Sequence, residues 1–185
     1  TSIQGEATKE VWELRSAGLG LLANIPGDGK GVACIEDTAV AIEDLADYME
    51  EFADLMKTFG QEIIYYGHAG AGEIHLRPIL NLKEEKEQDH LHQISLASAQ
   101  LVKKYGGSLS GEHGDGRVRA PFIPLAIGAD NYQRLLQLKN TWDPDRIFNP
   151  HKIVEPKAIQ QDLRFAPGQP TPDLPTLFDF STTGG

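Results

Sequence analysis

Residues 62–80 read EIIYYGHAGAGEIHLRPIL, two runs rich in β-branched and aromatic residues that flank a turn of Gly and Ala. Such runs favour β-strands, and a short glycine-containing connection between them predicts a β-hairpin. We place the turn at Gly70 and Ala71. Because a hairpin must be built into the sheet of the folded chain, this segment constrains the architecture more than any other.

The hairpin also decides whether two histidines meet. With a two-residue turn, Tyr66 pairs with His75 and His68 pairs with Glu73, so the two histidines lie diagonally on one face with Cβ atoms about 7 Å apart. A loop with an odd number of residues would place them on opposite faces. Two imidazoles at this spacing can bind one metal ion between them. The alternative is that they are two surface or half-buried histidines that bind no ion.

The rest of the chain alternates helical and extended patterns. Apolar spacing and the Gly and Pro stops predict helices over 7–25, 43–59, 83–105 and 130–140, a strand over 31–36, and a loop with a short strand over 108–124. A hairpin combined with these helices predicts an α+β fold, a mainly antiparallel sheet with helices packed on one face.

Composition disfavours several classes of partner. The chain has 185 residues and 40% hydrophobic content, which is enough for one compact domain. Its formal net charge of −10 argues against nucleic acid or an anionic membrane surface as the main partner. No apolar stretch approaches the roughly 20 residues that span a bilayer. The single cysteine, Cys34, excludes an internal disulfide framework and favours a reducing compartment, so we expect a cytoplasmic protein.

A second glycine-rich loop, SGEHGDG at 110–116, carries Glu112 and His113. Two histidines with one carboxylate form a common open set for a divalent metal, and a polar turn exposed to solvent is the alternative. Arg77 lies near both loops, where it can hold a substrate carboxylate or pair with the protein's own acidic groups. Arg15, in the first predicted helix, is equally suited to a salt bridge and to packing.

Four motifs follow one another in the chain: WELRSAG at 12–18, YYGHAGAGEIHLRP at 65–78, SGEHGDG at 110–116 and WDPDRIFNPHKIV at 142–154. Together they resemble the C-terminal domain of FAD-linked oxidases of the vanillyl-alcohol oxidase superfamily. That group contains D-lactate dehydrogenases, D-2-hydroxyglutarate dehydrogenases and a component of glycolate oxidase. The resemblance implies a ferredoxin-like α+β domain.

The resemblance also implies a ligand set and a cofactor. It implies that His68, His75 and Glu112 bind a divalent metal, with zinc expected first and manganese or iron as the alternatives. FAD would be bound mainly by a domain outside this chain, since the sequence offers no dinucleotide-binding fingerprint. Ala71 occupies the position where the hairpin of the family has Asp. The resemblance therefore does not determine the local geometry of the turn.

Three further roles are implied by the same resemblance. His113 would be the catalytic base, Arg15 or Arg77 would hold the substrate carboxylate, and Asn149 would lie near the flavin. His151 replaces the Gly of the family's closing motif, so contacts on the flavin side are expected to differ locally.

The resulting expectation is a two-part chain. Residues 1–155 would form the substrate- and metal-binding domain of a flavin-dependent dehydrogenase that oxidises a 2-hydroxy acid to the 2-oxo acid. Residues 156–185 would form an extended tail toward a following iron–sulfur domain. The isolated chain is expected to be inactive, and peripheral membrane association through an electron-acceptor partner is an alternative to a purely cytoplasmic location. A metal-dependent hydrolase and a non-catalytic α+β interaction module are the competing hypotheses.

Overall fold

A computed structural model describes residues 3–61, 63–170 and 177–178, and the side chains at 19 and 63 are outside this description. The elements, in chain order, are α1 Glu6–Ala23, β1 Lys30–Gly31, β2 Thr38–Ala39, α2 Leu45–Thr58, β3 Ile63–His68, β4 Glu73–Leu80, α3 Glu85–Lys104, α4 Gly116–Arg119, α5 Ile123–Ile127 and α6 Ala129–Trp142. Single turns of 3-10 helix cover Ile42–Asp44, Ala69–Ala71 and Ala120–Phe122.

Strand β4 is the centre of the sheet. It pairs antiparallel with β1, β2 and β3, so every pairing between two of the described strands involves it. The fold class predicted from the sequence, an α+β domain with an antiparallel sheet, is confirmed. Because side chains alternate along a strand, β4 directs Leu76 and Leu80 to one face and His75 and Arg77 to the other.

The core lies on the face of β4 that carries Leu76 and Leu80. Helices α2 and α3 pack there and contribute the largest fully buried apolar side chains, Tyr48, Phe52, Met56, Leu91 and Ile94. Burial of one such side chain stabilises the fold by about 1.5–3 kcal/mol. The opposite face of the hairpin is left for polar side chains.

The strand predicted over 31–36 is wrong for most of its length. Eight positions separate Lys30 from Thr38, but only six separate their partners on β4, Leu80 and Ile74. The two extra residues make the chain bulge away from β4 between β1 and β2. The apolar residues at 32–35 reflect burial in the core rather than pairing with another strand, since Cys34 is buried there.

Residues 116–127 are helical, whereas the sequence predicted a loop and a short strand over 108–124. The prolines explain the difference, because Pro121 and Pro124 occupy the first positions of helical turns, where a missing N–H costs nothing. The one strand-type pairing that the structure describes in this part is an isolated bridge between Ala39 and Ser108.

The four predicted helices are confirmed with shifts of a few residues at their ends. Helix α1 differs in its packing, because the apolar side chains of Val11, Leu14 and Leu21, which share one stripe, are exposed, Leu14 by 68%. The chain after residue 155 stays close to the domain for some distance, since Ile159 is buried in the core. The domain boundary stays a prediction, and residues 171–176 and 179–185 of the predicted tail lie outside the described part.

Candidate active site

The hairpin brings the two predicted histidines together. The register is the predicted one, with Tyr66 opposite His75 and His68 opposite Glu73. The imidazole rings of His68 and His75 have centroids 5.4 Å apart and meet edge to face. The predicted two-residue turn is wrong in detail, because the ladder ends at His68 and Glu73 and residues 69–72 form a four-residue loop. An even loop length preserves the shared face.

The tip of the hairpin is fixed by Gly72. Its backbone has φ 70°, and an added Cβ atom would lie 2.0 Å from the carbonyl oxygen of Val40. The backbone N–H of Val40 donates to the Gly72 carbonyl at 3.0 Å. Only glycine satisfies both the left-handed backbone and this close approach.

The second loop is tied to the bulge by Asp37, a fully buried residue at φ 79°. The carboxylate oxygen Oδ2 of Asp37 accepts hydrogen bonds from the backbone N–H groups of Glu112 at 3.0 Å and His113 at 2.7 Å, and from the hydroxyl of Ser110. The N–H of Gly111 donates to the Asp37 carbonyl at 2.7 Å. One buried residue therefore fixes the backbone of the whole Glu-His segment.

Four potential metal-binding side chains converge between the hairpin and this loop. His68, Glu73, His75 and Glu112 each offer one ligand atom, and these atoms all lie within 4.8 Å of one another. His68 Nε2 is 3.4 Å from Glu112 Oε1, and His75 Nε2 is 3.7 Å from Glu73 Oε1. The three residues predicted as ligands are thus brought together, and Glu73 joins them.

Burial and hydrogen bonding together shift the pKa values of the cluster residues. Burial lowers the pKa of His75, which favours the neutral imidazole that a metal ligand requires. A hydrogen bond with Asp37, together with burial and neighbouring negative charge, raises the pKa of Glu73 to about 7. Burial raises the pKa of Asp37, but hydrogen bonds with Glu73, Ser110 and the two backbone N–H groups outweigh it and lower that pKa well below its usual range.

His113 stacks on His75 on the solvent side of the cluster. The two rings have centroids 5.1 Å apart and are inclined by 8°. The His113 side chain is 42% exposed, so it faces the open space in front of the cluster rather than the core. Its Nε2 lies 3.8 Å from Glu112 Oε1.

The two predicted arginines have different surroundings. The Arg77 guanidinium forms a 2.6 Å ion pair with the buried carboxylate of Glu36. Glu36 also lies 3.8 Å from His75 Nδ1 and accepts a 3.3 Å hydrogen bond from the Tyr66 hydroxyl. Arg15 lies over the ring of Tyr66, with its guanidinium carbon 5.7 Å from the ring centroid, and forms no ion pair with any described carboxylate.

His68, His75, Glu112, His113 and the two arginines line one cavity of about 570 Å³, whereas Glu73 is not among the described residues that line it. Helix α1 forms one wall with Arg15, Gly18, Leu21 and Leu22, while the sheet and the second loop form the other. The polar residues of the cavity wall are Arg15, Glu36, Tyr65, Tyr66, His68, His75, Arg77, Glu112 and His113. A volume of this size suits a small organic ligand.

Asn149 lies apart from that cavity. It lines a separate one of about 180 Å³ together with Arg146 and His151, and its backbone has φ 49°. The loop that presents it is held by Asp143, whose carboxylate accepts hydrogen bonds from the backbone N–H groups of Ile147 at 2.8 Å and Phe148 at 3.0 Å. A flavin that contacts Asn149 would therefore reach beyond the cluster cavity.

Sequence reasoning missed three site residues: Glu36, Asp37 and Glu73. The first two lay inside the run assigned to a strand or directly after it. Two adjacent acidic residues after an apolar run are unusual in a buried strand and could have indicated a bulge. The predicted register already placed Glu73 opposite His68, on the face that carries both histidines. That position could have identified Glu73 as a site residue.

No helix in the described part of the chain combines the length and the apolar composition needed to cross a membrane.

Comparison with known proteins gives a consistent assignment. Residues 2–153 match the family described as FAD linked oxidases, C-terminal domain. The chain is 40% identical over 158 residues to a D-2-hydroxyglutarate dehydrogenase of Pseudomonas putida, a match that covers 85% of the chain and 16% of that protein. It is 36% identical to the Escherichia coli protein of the same name, over 84% of the chain and 15% of the relative.

A third relative, glycolate oxidase subunit GlcD of Bacillus subtilis, is 26% identical over 85% of the chain and 33% of its own length. The chain thus spans about one sixth of the D-2-hydroxyglutarate dehydrogenases and one third of the glycolate oxidase protein. The family match extends over most of the chain and covers the sequence motifs almost completely. This chain therefore belongs to the family of FAD linked oxidase C-terminal domains.

Proposed function

We propose that this chain is the substrate- and metal-binding domain of a flavin-dependent dehydrogenase that oxidises a 2-hydroxy acid to the 2-oxo acid. The observation that carries the proposal is a single cavity with a cluster of metal-type donors, an exposed histidine beside it and an arginine that pairs with no described carboxylate. The relatives support the same reaction class, since they are named for D-2-hydroxyglutarate, glycolate and D-lactate.

A divalent metal fits the residues present. His68, His75 and Glu112 supply the nitrogen and carboxylate donors that zinc, manganese and iron accept. One buried atom of the cluster, Glu73 Oε1, has no hydrogen-bond partner, and such an atom is costly unless a ligand or ion compensates it. The donor chemistry therefore suits a cation at this position.

His113 is the proposed general base. When bound, FAD would supply the acceptor for the hydride from Cα, and the divalent ion would polarise the substrate hydroxyl. A ring nitrogen of His113 then takes the hydroxyl proton, so the C–O single bond becomes the carbonyl of the 2-oxo acid. The exposed edge of His113 faces the cavity, and its stacking on His75 fixes the plane of the ring.

Arg15 is the better candidate for holding the substrate carboxylate. A guanidinium binds a carboxylate through two parallel hydrogen bonds and so fixes its orientation. Arg77 already uses its guanidinium for Glu36, which is buried and would be left uncompensated if the arginine turned to substrate. Arg77 is therefore proposed to shape the cavity wall, while Arg15 orients the substrate.

An FAD-binding domain is the proposed partner of the open face. Helix α1 forms one wall of the cavity and exposes the apolar side chains of Val11, Trp12, Leu14 and Leu21, and exposed apolar surface beside a site is typical of an interface. The exposed Leu177 and Phe178 suit contact with a following iron–sulfur domain. A cytoplasmic location, with peripheral membrane contact only through the electron acceptor, completes the proposal.

The test is oxidation of 2-hydroxy acids by a flavoprotein that contains this chain. We expect D-2-hydroxyglutarate, D-lactate or glycolate to reduce an artificial electron acceptor, and we expect the 185-residue chain alone to be inactive. Hydrolysis by the chain alone, without flavin, would favour the metal-hydrolase hypothesis. If neither activity nor metal binding were found, the interaction-module hypothesis would replace both.

A further inference from the structure

We propose that Glu73 is a fourth metal ligand, which makes the site a two-histidine, two-carboxylate centre. The inference rests on the proposed metal-binding function. Glu73 is the residue opposite His68 at the last pair of the hairpin ladder, so its side chain leaves the sheet on the same face as His68 and His75. Its ligand atom lies within 4.8 Å of those of His68, His75 and Glu112.

The surroundings of Glu73 direct its carboxylate into the cluster. The residue is only 7% exposed, so the carboxylate cannot turn to bulk water. Its Oε1 has no hydrogen-bond partner and lies 3.7 Å from His75 Nε2. A buried carboxylate oxygen with an unmet bonding capacity, next to an imidazole nitrogen, is an arrangement that a shared cation satisfies.

Gly111 makes this position possible. An added Cβ atom at Gly111 would lie 3.1 Å from both Cγ and Cδ of Glu73, tighter than ordinary van der Waals contact. The glycine thus leaves room for the glutamate side chain beneath the second loop. The two carboxylate oxygens of Glu73 have different surroundings, because Oε2 lies against Gly111 and Oε1 faces His75 Nε2.

Four protein ligands change which metal the site can use. Tetrahedral zinc would be saturated by them, leaving no position for substrate, whereas a catalytic zinc keeps one open. An ion that accepts six ligands would still offer about two positions. A 2-hydroxy acid can occupy two positions with its hydroxyl and one carboxylate oxygen. We therefore infer that the working ion is of the Mn²⁺ or Fe²⁺ type rather than zinc.

The experiment measures Mn²⁺ and Zn²⁺ affinity of the full chain by competition with a chromophoric chelator. Glu73→Gln keeps the shape of the side chain and removes its charge. We expect it to weaken Mn²⁺ binding by at least about 10- to 100-fold, the scale reached by perturbing the surroundings of metal ligands. Asp143→Asn is the matched variant, because Asp143 is also a buried carboxylate but does not belong to the cluster. We expect it to retain Mn²⁺ affinity within a few-fold.

A second measurement counts the open positions directly. Water-proton relaxation by bound Mn²⁺ should report about two bound waters in the unaltered chain and about three in Glu73→Gln, with D-2-hydroxyglutarate displacing them. Circular dichroism checks that the variants fold. Unchanged affinity and water count in Glu73→Gln, with loss of affinity in His68→Ala, would overturn the inference and leave the three-ligand site. An equal loss of affinity in Asp143→Asn would overturn it too, because a carboxylate outside the cluster would then affect the ion as much as Glu73. An unaltered chain that binds neither metal would overturn the proposed function as well.

Discussion

The carboxylate of Asp37 accepts a hydrogen bond from the backbone N–H of His113 at 2.7 Å, across 76 positions of sequence. The proposed base is thus held by a residue that does not face the substrate cavity. Ion-to-amide hydrogen bonds of this kind are stronger than neutral ones. The position of His113 depends on the bulge between β1 and β2 as much as on its own loop.

Asp37→Ala should destabilise the chain by about 2–4 kcal/mol, because three partly buried donors lose one charged acceptor and a residue at positive φ is replaced by one that disfavours it. Urea unfolding followed by circular dichroism measures the change. Asp37→Asn is the control, since asparagine tolerates positive φ and keeps an acceptor oxygen. Equal stability of Asp37→Ala and the unaltered chain would show that the loop is held by other contacts.

Arg77→Met should cost about 3 kcal/mol or more of folding free energy, because it leaves the buried Glu36 carboxylate without its cation. The measurement is again chemical denaturation. In the double variant with Glu36→Gln the loss should be clearly smaller than the sum of the two single losses. Additive effects would mean that the ion pair does not couple the two residues.

Replacement of Arg15 should act on substrate binding rather than on stability. The side chain has no ion-pair partner among the described carboxylates, so Arg15→Met is expected to change the unfolding midpoint little. In the flavoprotein it should raise KM for a 2-hydroxy acid by about 10-fold or more, the loss expected for one charge-assisted contact. An unchanged KM would show that a different cationic side chain holds the substrate carboxylate.

His113→Ala should lower turnover by about 10²- to 10⁴-fold in the flavoprotein while leaving its metal content unchanged. His68→Ala and Glu112→Ala should instead lose the metal, which elemental analysis detects. The contrast between the two classes tests the assignment of roles. Wild-type turnover by His113→Ala across the neutral pH range would place the base elsewhere.

Acid should loosen the loop that carries Asn149. A hydrogen bond from Lys139, followed by those from the backbone N–H groups of Ile147 and Phe148, lowers the pKa of Asp143. Since the folded-state pKa lies below the unfolded value of about 3.9, the stabilisation is present above that value and is lost as pH falls through the folded pKa. Asp143→Asn should therefore flatten the decline in stability below about pH 4, measured by thermal unfolding across pH.

The sequence predicted what depends on local patterns. Helices α2 and α3, the hairpin and its register followed from apolar spacing and β-propensity, and the register alone placed His68 and His75 on one face. The sequence did not predict the bulge between β1 and β2, because the displacement of Glu36 and Asp37 from β4 depends on pairing between distant segments. The helical turns at Pro121 and Pro124 were missed because proline also favours loops.

The close backbone contact between Gly72 and Val40 affects the free energy of metal binding. Backbone contacts with Val40 order the hairpin tip during folding. Binding of a metal ion therefore does not carry the conformational entropy cost of ordering this loop. Capture of the ion then has to restrain only the side chains of His68 and Glu112, which are half exposed. Affinity at such a preorganised centre is governed by donor identity and charge, and much less by loop closure.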